Sequence, residues 1–153
     1  PDGAFSMERV VFPKLAEARQ LVGFPFEGHF VDAGTPISYI EAVLTSIKNK
    51  AWVSGHGDEK GNWLGPDYSI DSTAKLSNSA IGQKTKISAG CHLVSSSLLD
   101  NVVIGNNCRI SNCMVGRNVS IGDNCELRDV VIGHNQNIPS GYTQFGGKFP
   151  TAD

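Results

Sequence analysis

A period of seventeen residues constrains this chain more than any other feature of its sequence. Reading every seventeenth position gives Ile70, Ile87, Ile104, Ile121 and Ile138, a second register gives Leu76, Leu93, Ile110 and Leu127, and a third gives Leu64, Ile81, Leu98, Val115 and Ile132. The three columns follow one another at steps of six, five and six residues. Four residues after the first column stand Ala74, Cys91, Cys108, Cys125 and Tyr142, and glycine follows the third at Gly65, Gly82, Gly116 and Gly133, interrupted by Leu99. Segments this short, rich in Val, Ile, Asn and Gly, do not suit paired α-helices. Short strands with one large aliphatic residue inward and Gly, Asn or Asp at each corner describe a stacked coil with three flat faces.

Written as hexads, Ile81-Gly82-Gln83-Lys84-Thr85-Lys86, Ile104-Gly105-Asn106-Asn107-Cys108-Arg109 and Ile121-Gly122-Asp123-Asn124-Cys125-Glu126 resemble the hexapeptide repeat of left-handed parallel β-helices over about residues 64 to 142. The left hand is what the resemblance implies, because general crossover rules favour the opposite one. Charge in this stretch is balanced: Lys75, Lys84, Lys86, Arg109, Arg117 and Arg128 stand against Asp67, Asp71, Asp100, Asp123, Asp129 and Glu126. Such a solenoid has no net field to steer a charged ligand.

The first third reads as mixed α and β. Ser6 suits the cap of a short helix with Glu8 in its first turn, and Pro13 suits the start of another through Ala18. Leu21 to Phe26 reads as a strand, and His29 to Asp32 as a second extended piece. Thr35 followed by Pro36 is a strong helix start, and Ile37, Ile40, Leu44 and Ile47 then share one face of a helix running to about Lys48. Gly55, Gly57 and Gly61, among Ser54, Asp58, Glu59 and Lys60, predict a flexible connection. The expected fold is therefore mainly β: a small α/β remnant over residues 1–50, a linker over 51–63 and a parallel β-helix with 17-residue coils over 64–145.

The run from Gly28 through His29, Phe30, Val31, Asp32, Ala33, Gly34, Thr35, Pro36, Ile37 and Ser38 to Tyr39 resembles the late motif of the sugar-phosphate nucleotidyltransferases, and Phe5 to Leu15 is similar to the segment leading into it. With a β-helix following, the order resembles that of enzymes of the mannose-1-phosphate guanylyltransferase type. The resemblance implies that a nucleoside triphosphate and a sugar 1-phosphate give an NDP-sugar and pyrophosphate. It also implies that Asp32 helps hold Mg²⁺ and that Glu8 approaches the sugar. The Gly-rich, Arg-containing phosphate loop and the first metal-binding Asp of that family have no counterpart here, so this chain alone is expected to be inactive and to correspond to the C-terminal part of such an enzyme. In that reading the β-helix serves assembly, as a homo-oligomer, or regulation. A non-catalytic scaffold subunit sharing the two-part order is the alternative.

Composition narrows the rest. A net charge of −2 argues against nucleic acid or an anionic membrane as partner, and no apolar run is long enough for a membrane span. Cys91, Cys108, Cys113 and Cys125 contain no CxxC pair and read as reduced thiols in a cytoplasmic protein. Three share a column with Ala74, which favours packing over a metal ladder. A hexapeptide acyltransferase using coenzyme A would need a catalytic His, and a β-helical carbonic anhydrase three His on zinc. His29, His56, His92 and His134 do not fall into either arrangement; His134, in Gly133-His134-Asn135, is the one to mutate should acetyl transfer be detected.

Overall fold

The computed structural model describes residues 6–28, 30–50 and 55–150. They fall into two compact units, Pro1–Phe30 and Val31–Asp153. In the first, the Ser6 hydroxyl accepts a hydrogen bond from the Arg9 N–H at 3.2 Å and caps a π-helical turn, Met7–Val11, which runs directly into α1, Phe12–Glu17. No described residue of this unit is buried; Val11 and Leu15 are half-covered, while Val22 and Phe24 are 90% exposed. The strand expected at Leu21–Phe26 does not form. Gly23 and Pro25 weaken its strand propensity, Pro25 brings no N–H, and an extended segment without a neighbour has nothing to hold it. Phe30 to Asp32 also lacks strand pairing, and His29 lies outside the described residues.

The second unit begins with α2, Pro36–Lys48. Thr35 Oγ1 accepts from the Ser38 N–H at 3.1 Å, and the Ser38 hydroxyl accepts from the Thr35 N–H at 3.0 Å, a reciprocal box that satisfies two otherwise unpaired donors. Where a loose linker was expected, His56–Gly57 pairs antiparallel with Trp63–Leu64. The tie is Asp58: its carboxylate accepts from the Lys60 and Asn62 N–H groups and from the Asn62 side-chain amide, each at 2.9 Å, so the glycines shape a hairpin. Residues 51–54 of the expected linker lie outside the described residues.

From there the chain winds as a three-faced solenoid whose columns are those of the sequence. Leu64, Ile81, Leu98, Val115, Ile132 and Phe149 are successive parallel partners on the first face. Ile70, Ile87, Ile104, Ile121 and Ile138 pair on the second, and Leu76, Leu93, Ile110, Leu127 and Gln144 on the third. Pairing therefore continues past residue 145, to Lys148–Phe149. All fourteen aliphatic positions except Ile70 are buried, and Ile70 packs against the same core.

Three corners per coil turn the chain through the left-handed region. Asp67, Lys84, Asn101, Asn118 and Asn135 form one positive-φ column, Asn78, Ser95, Asn112 and Asp129 a second, and Asn107 and Asn124 a third. Asn suits such corners because its short amide tolerates this backbone and bonds locally. Amides stack as well: Asn101 Nδ2 donates to Asn118 Oδ1 at 3.1 Å, and Asn118 Nδ2 to Asn135 Oδ1 at 2.9 Å. At Gly82 the next coil comes so close that a Cβ would stand 2.5 Å from the Leu99 carbonyl carbon, and at Gly116 2.7 Å from that of Gly133, so these two positions suit glycine.

A buried polar column runs beside the aliphatic ones. Asn62 Oδ1 accepts from the Ser79 N–H at 3.0 Å, Ser79 Oγ from the Ser96 N–H at 3.2 Å, and Ser96 Oγ from the Cys113 N–H at 3.1 Å. Among the described residues no buried side-chain N or O lacks a partner.

Two stability outcomes follow. Ile104→Ala, at a site with 0% exposure, is expected to cost about 2–5 kcal/mol in a urea titration, and Ile70→Ala distinctly less. Partial burial works against the Asp58 charge, but hydrogen bonds from Asn62 and Lys60, with the Lys60 charge, hold its carboxyl below the ordinary range. A lowered pKa stabilises the fold above the unfolded value of about 3.9 and loses that contribution as pH falls through the folded value. Asp58→Asn is therefore expected to lower the urea midpoint at pH 7 and to flatten its decline below about pH 4.

Candidate functional site

The outward positions separate the three faces chemically. The second presents Ser69, Lys86, Val103, Ser120 and Asn137, and the third Lys75, His92, Arg109, Glu126 and Thr143. The first presents Trp63, Ala80, Ser97, Met114 and Val131, with Ala80 and Ser97 buried. This apolar outer column is legible at the same seventeen-residue spacing, one residue before the Leu64 column, but inward periodicity alone does not draw attention to it.

Helix α2 lies along that face. Its 13 residues make about 20 Å of helix, close to four coil spacings of about 4.8 Å. Tyr39, Val43 and Ile47 line a groove of about 370 Å³ with Trp63, Ala80 and Leu99. On the opposite flank, Ile37, Ile40 and Leu44 line one of about 540 Å³ with Asn112, Val131 and Lys148. Ile40 is buried, whereas Ile37 remains 72% exposed. Tyr39 and Leu99, the interruption in the glycine column, together line the first of these grooves and a smaller one beside the helix.

The residues singled out for chemistry are placed as follows. Asp32 is exposed, and one carboxylate oxygen lies over Gly34, 3.3 Å from where a Cβ would stand. Glu8 is exposed in the first turn of the π-helical segment. Among the described residues no three His, Cys, Asp or Glu come together as metal ligands, and one exposed carboxylate makes a poor Mg²⁺ site. The described residues therefore do not by themselves fit that ion.

The four thiols are free and buried. Cys91, Cys108 and Cys125 stack in the core and donate to the carbonyls of Gly105, Gly122 and Pro139 at 2.9, 3.1 and 3.3 Å. Cys113 belongs instead to the buried Asn62–Ser79–Ser96 column, and burial pushes its thiol up to about 11. A hydrogen bond shared with Cys91, together with burial, likewise raises the Cys108 thiol. His92 is exposed on the third face, His56 lies against the Tyr68 ring, and His134 Nδ1 accepts the Arg117 N–H at 2.8 Å, fastening a corner. The described histidines thus stand at separate places in the coil.

The family model described as EIF2B subunit epsilon LbH domain matches residues 58–143. No curated protein matches the chain. Among solved structures, a mutant perosamine N-acetyltransferase from Caulobacter crescentus, in complex with CoA and GDP-perosamine, is similar at 14% identity with a TM-score of 0.44. The alignment covers 74% of this chain, which spans 60% of that one. No described helix is long and apolar enough to cross a membrane.

Packing roles for the thiols have a direct readout. Ellman's reagent is expected to find no reactive cysteine in the folded chain over minutes and all four in denaturant; rapid modification of the native protein would contradict a core role.

Proposed function

Because this chain belongs to the left-handed β-helix family of the EIF2B subunit epsilon LbH domain, we propose that its solenoid is an assembly module carried by a protein of the sugar-phosphate nucleotidyltransferase type. What supports the reading is the order of its parts. The Gly28–Tyr39 motif leads into α2, and α2 lies on the one apolar face of the solenoid. The interior is filled by aliphatic side chains, thiols and satisfied polar groups, so the module acts through its surfaces.

In the complete enzyme, a sugar 1-phosphate oxygen attacks the α-phosphorus of a nucleoside triphosphate, and the bond to the departing pyrophosphate breaks. Asp32 would supply one carboxylate ligand to Mg²⁺, with the remaining ligands from outside this chain, and Glu8 would approach the sugar. The second reading is a non-catalytic scaffold subunit of related architecture. The description of the matched family, a domain of a subunit, is compatible with this reading as well.

Supplied with Mg²⁺, GTP and mannose 1-phosphate, the chain alone is expected to release no pyrophosphate. Light scattering at high concentration is expected to give a multiple of 16.3 kDa. Pyrophosphate release would overturn the assignment of this chain to a non-catalytic part, and a single-chain mass would overturn the assembly role.

A further inference from the structure

The balanced charge of the solenoid is a sum over surfaces that differ. Its aspartates sit at the corners, and three are engaged with backbone there: Asp71 accepts the Thr73 N–H at 2.9 Å, Asp100 the Gln83 N–H at 3.2 Å, and Asp123 the Asn106 N–H at 2.6 Å together with the Asn106 amide at 3.1 Å. The outward side of the third face carries the opposite sign. Lys75, His92 and Arg109 are register partners on successive coils, about 4.8 Å apart, and none makes an ion pair or hydrogen bond through its side chain among the described residues. Cations stacked so closely repel one another, and an anion laid over them is favoured. The carboxylate on this face, Glu126, stands on the coil after Arg109 and is shared with Arg128 at 3.9 Å.

Beside Arg109 the face opens into a polar groove of about 340 Å³, lined by His92, Asn107, Arg109, Asn124, Glu126 and Thr143. Its two asparagines behave unlike those of the first corner column. Asn101, Asn118 and Asn135 bond one another from coil to coil, whereas Asn107 and Asn124, in the same left-handed backbone, have side-chain amides with no hydrogen-bond partner among the described residues. The Asn107 amide oxygen lies over Gly90, in the space a side chain there would fill. Donors therefore predominate on the coils of His92 and Arg109. Glu126 and Thr143, on the two coils that follow, add an acceptor and a hydroxyl.

We infer that this groove is a binding site for a small phosphate monoester of a hydroxyl-bearing molecule. Arg109 holds the phosphoryl group, its planar fork matching two of the oxygens, and His92 and the Asn107 amide complete the donors. The hydroxyls of the ligand reach Glu126 and Thr143. A groove of this volume takes a small molecule rather than a folded partner. The inference holds whether the solenoid is carried by an enzyme or by a scaffold, and so does not depend on the function proposed above.

The test follows the His92 and Arg109 side-chain signals of the full chain by NMR, at constant pH and ionic strength, in titrations with inorganic phosphate and with mannose 1-phosphate. Both probes are expected to move these signals, the ester with a dissociation constant about threefold or more below that of inorganic phosphate. Arg109→Gln is expected to weaken both by about tenfold or more, and Glu126→Gln to remove the advantage of the ester. Arg117→Gln, an exposed substitution on a different corner, is expected to change neither. Signals unmoved by either probe, or affinities unmoved by Arg109→Gln, overturn the site. Equal affinity for the two probes overturns the monoester assignment. A poly-glutamate peptide that binds here more tightly than either probe overturns the small ligand in favour of an acidic protein partner.

Discussion

The structure depends on one geometric requirement: a chain of about seventeen residues must turn three times and return in register above itself, so that each strand finds a partner one coil away. The turns are bought with Asn, Asp, Gly and a few other residues in left-handed backbone, and the return is rewarded by parallel pairing along all three faces. Hydrophobic burial accompanies this automatically. Once the register is set, each aliphatic column becomes a continuous row inside the prism, and even the buried hydroxyls find the backbone of the neighbouring coil.

The solenoid was legible because its constraint is repetitive. A column such as Ile70 to Ile138 specifies one strand per coil, and five repetitions leave the register no freedom. The column at Asn62, Ser79, Ser96, Cys113 and Val130 escaped the same treatment because its chemistry drifts from amide through hydroxyl and thiol to a hydrocarbon. Its common property is not polarity but small size beneath a corner, with the polar members each accepting a backbone N–H from the next coil. The outer column of the first face was equally readable, though nothing in the inward period distinguishes one outer face from another.

Outside the repeat, local signals fared according to whether they closed locally. The Thr35–Pro36 cap is self-contained and delivered α2 with the expected bounds, and the Ser6 cap forms too, on a π-helical turn rather than an ordinary helix. Leu21–Phe26 needs a neighbour strand, which the described residues do not bring to it. Asp58 illustrates the opposite error: a glycine-rich stretch that suggests looseness is drawn into a hairpin by one carboxylate accepting three hydrogen bonds. The proposed site residues were the least legible part. Asp32 and Glu8 draw their meaning from a motif rather than from neighbours, and their exposure gives no local chemistry from which to rebuild it.

The uniform seventeen-residue step has a consequence for how such a chain can vary over evolutionary time. Inserting or deleting one residue inside a strand would swing every later inward side chain to the outside of its coil. Length is therefore free to change only at corners that bulge outward or by whole coils. Anything fastened at the two ends is then held apart by a distance that grows in discrete steps of about 4.8 Å, like marks on a ruler.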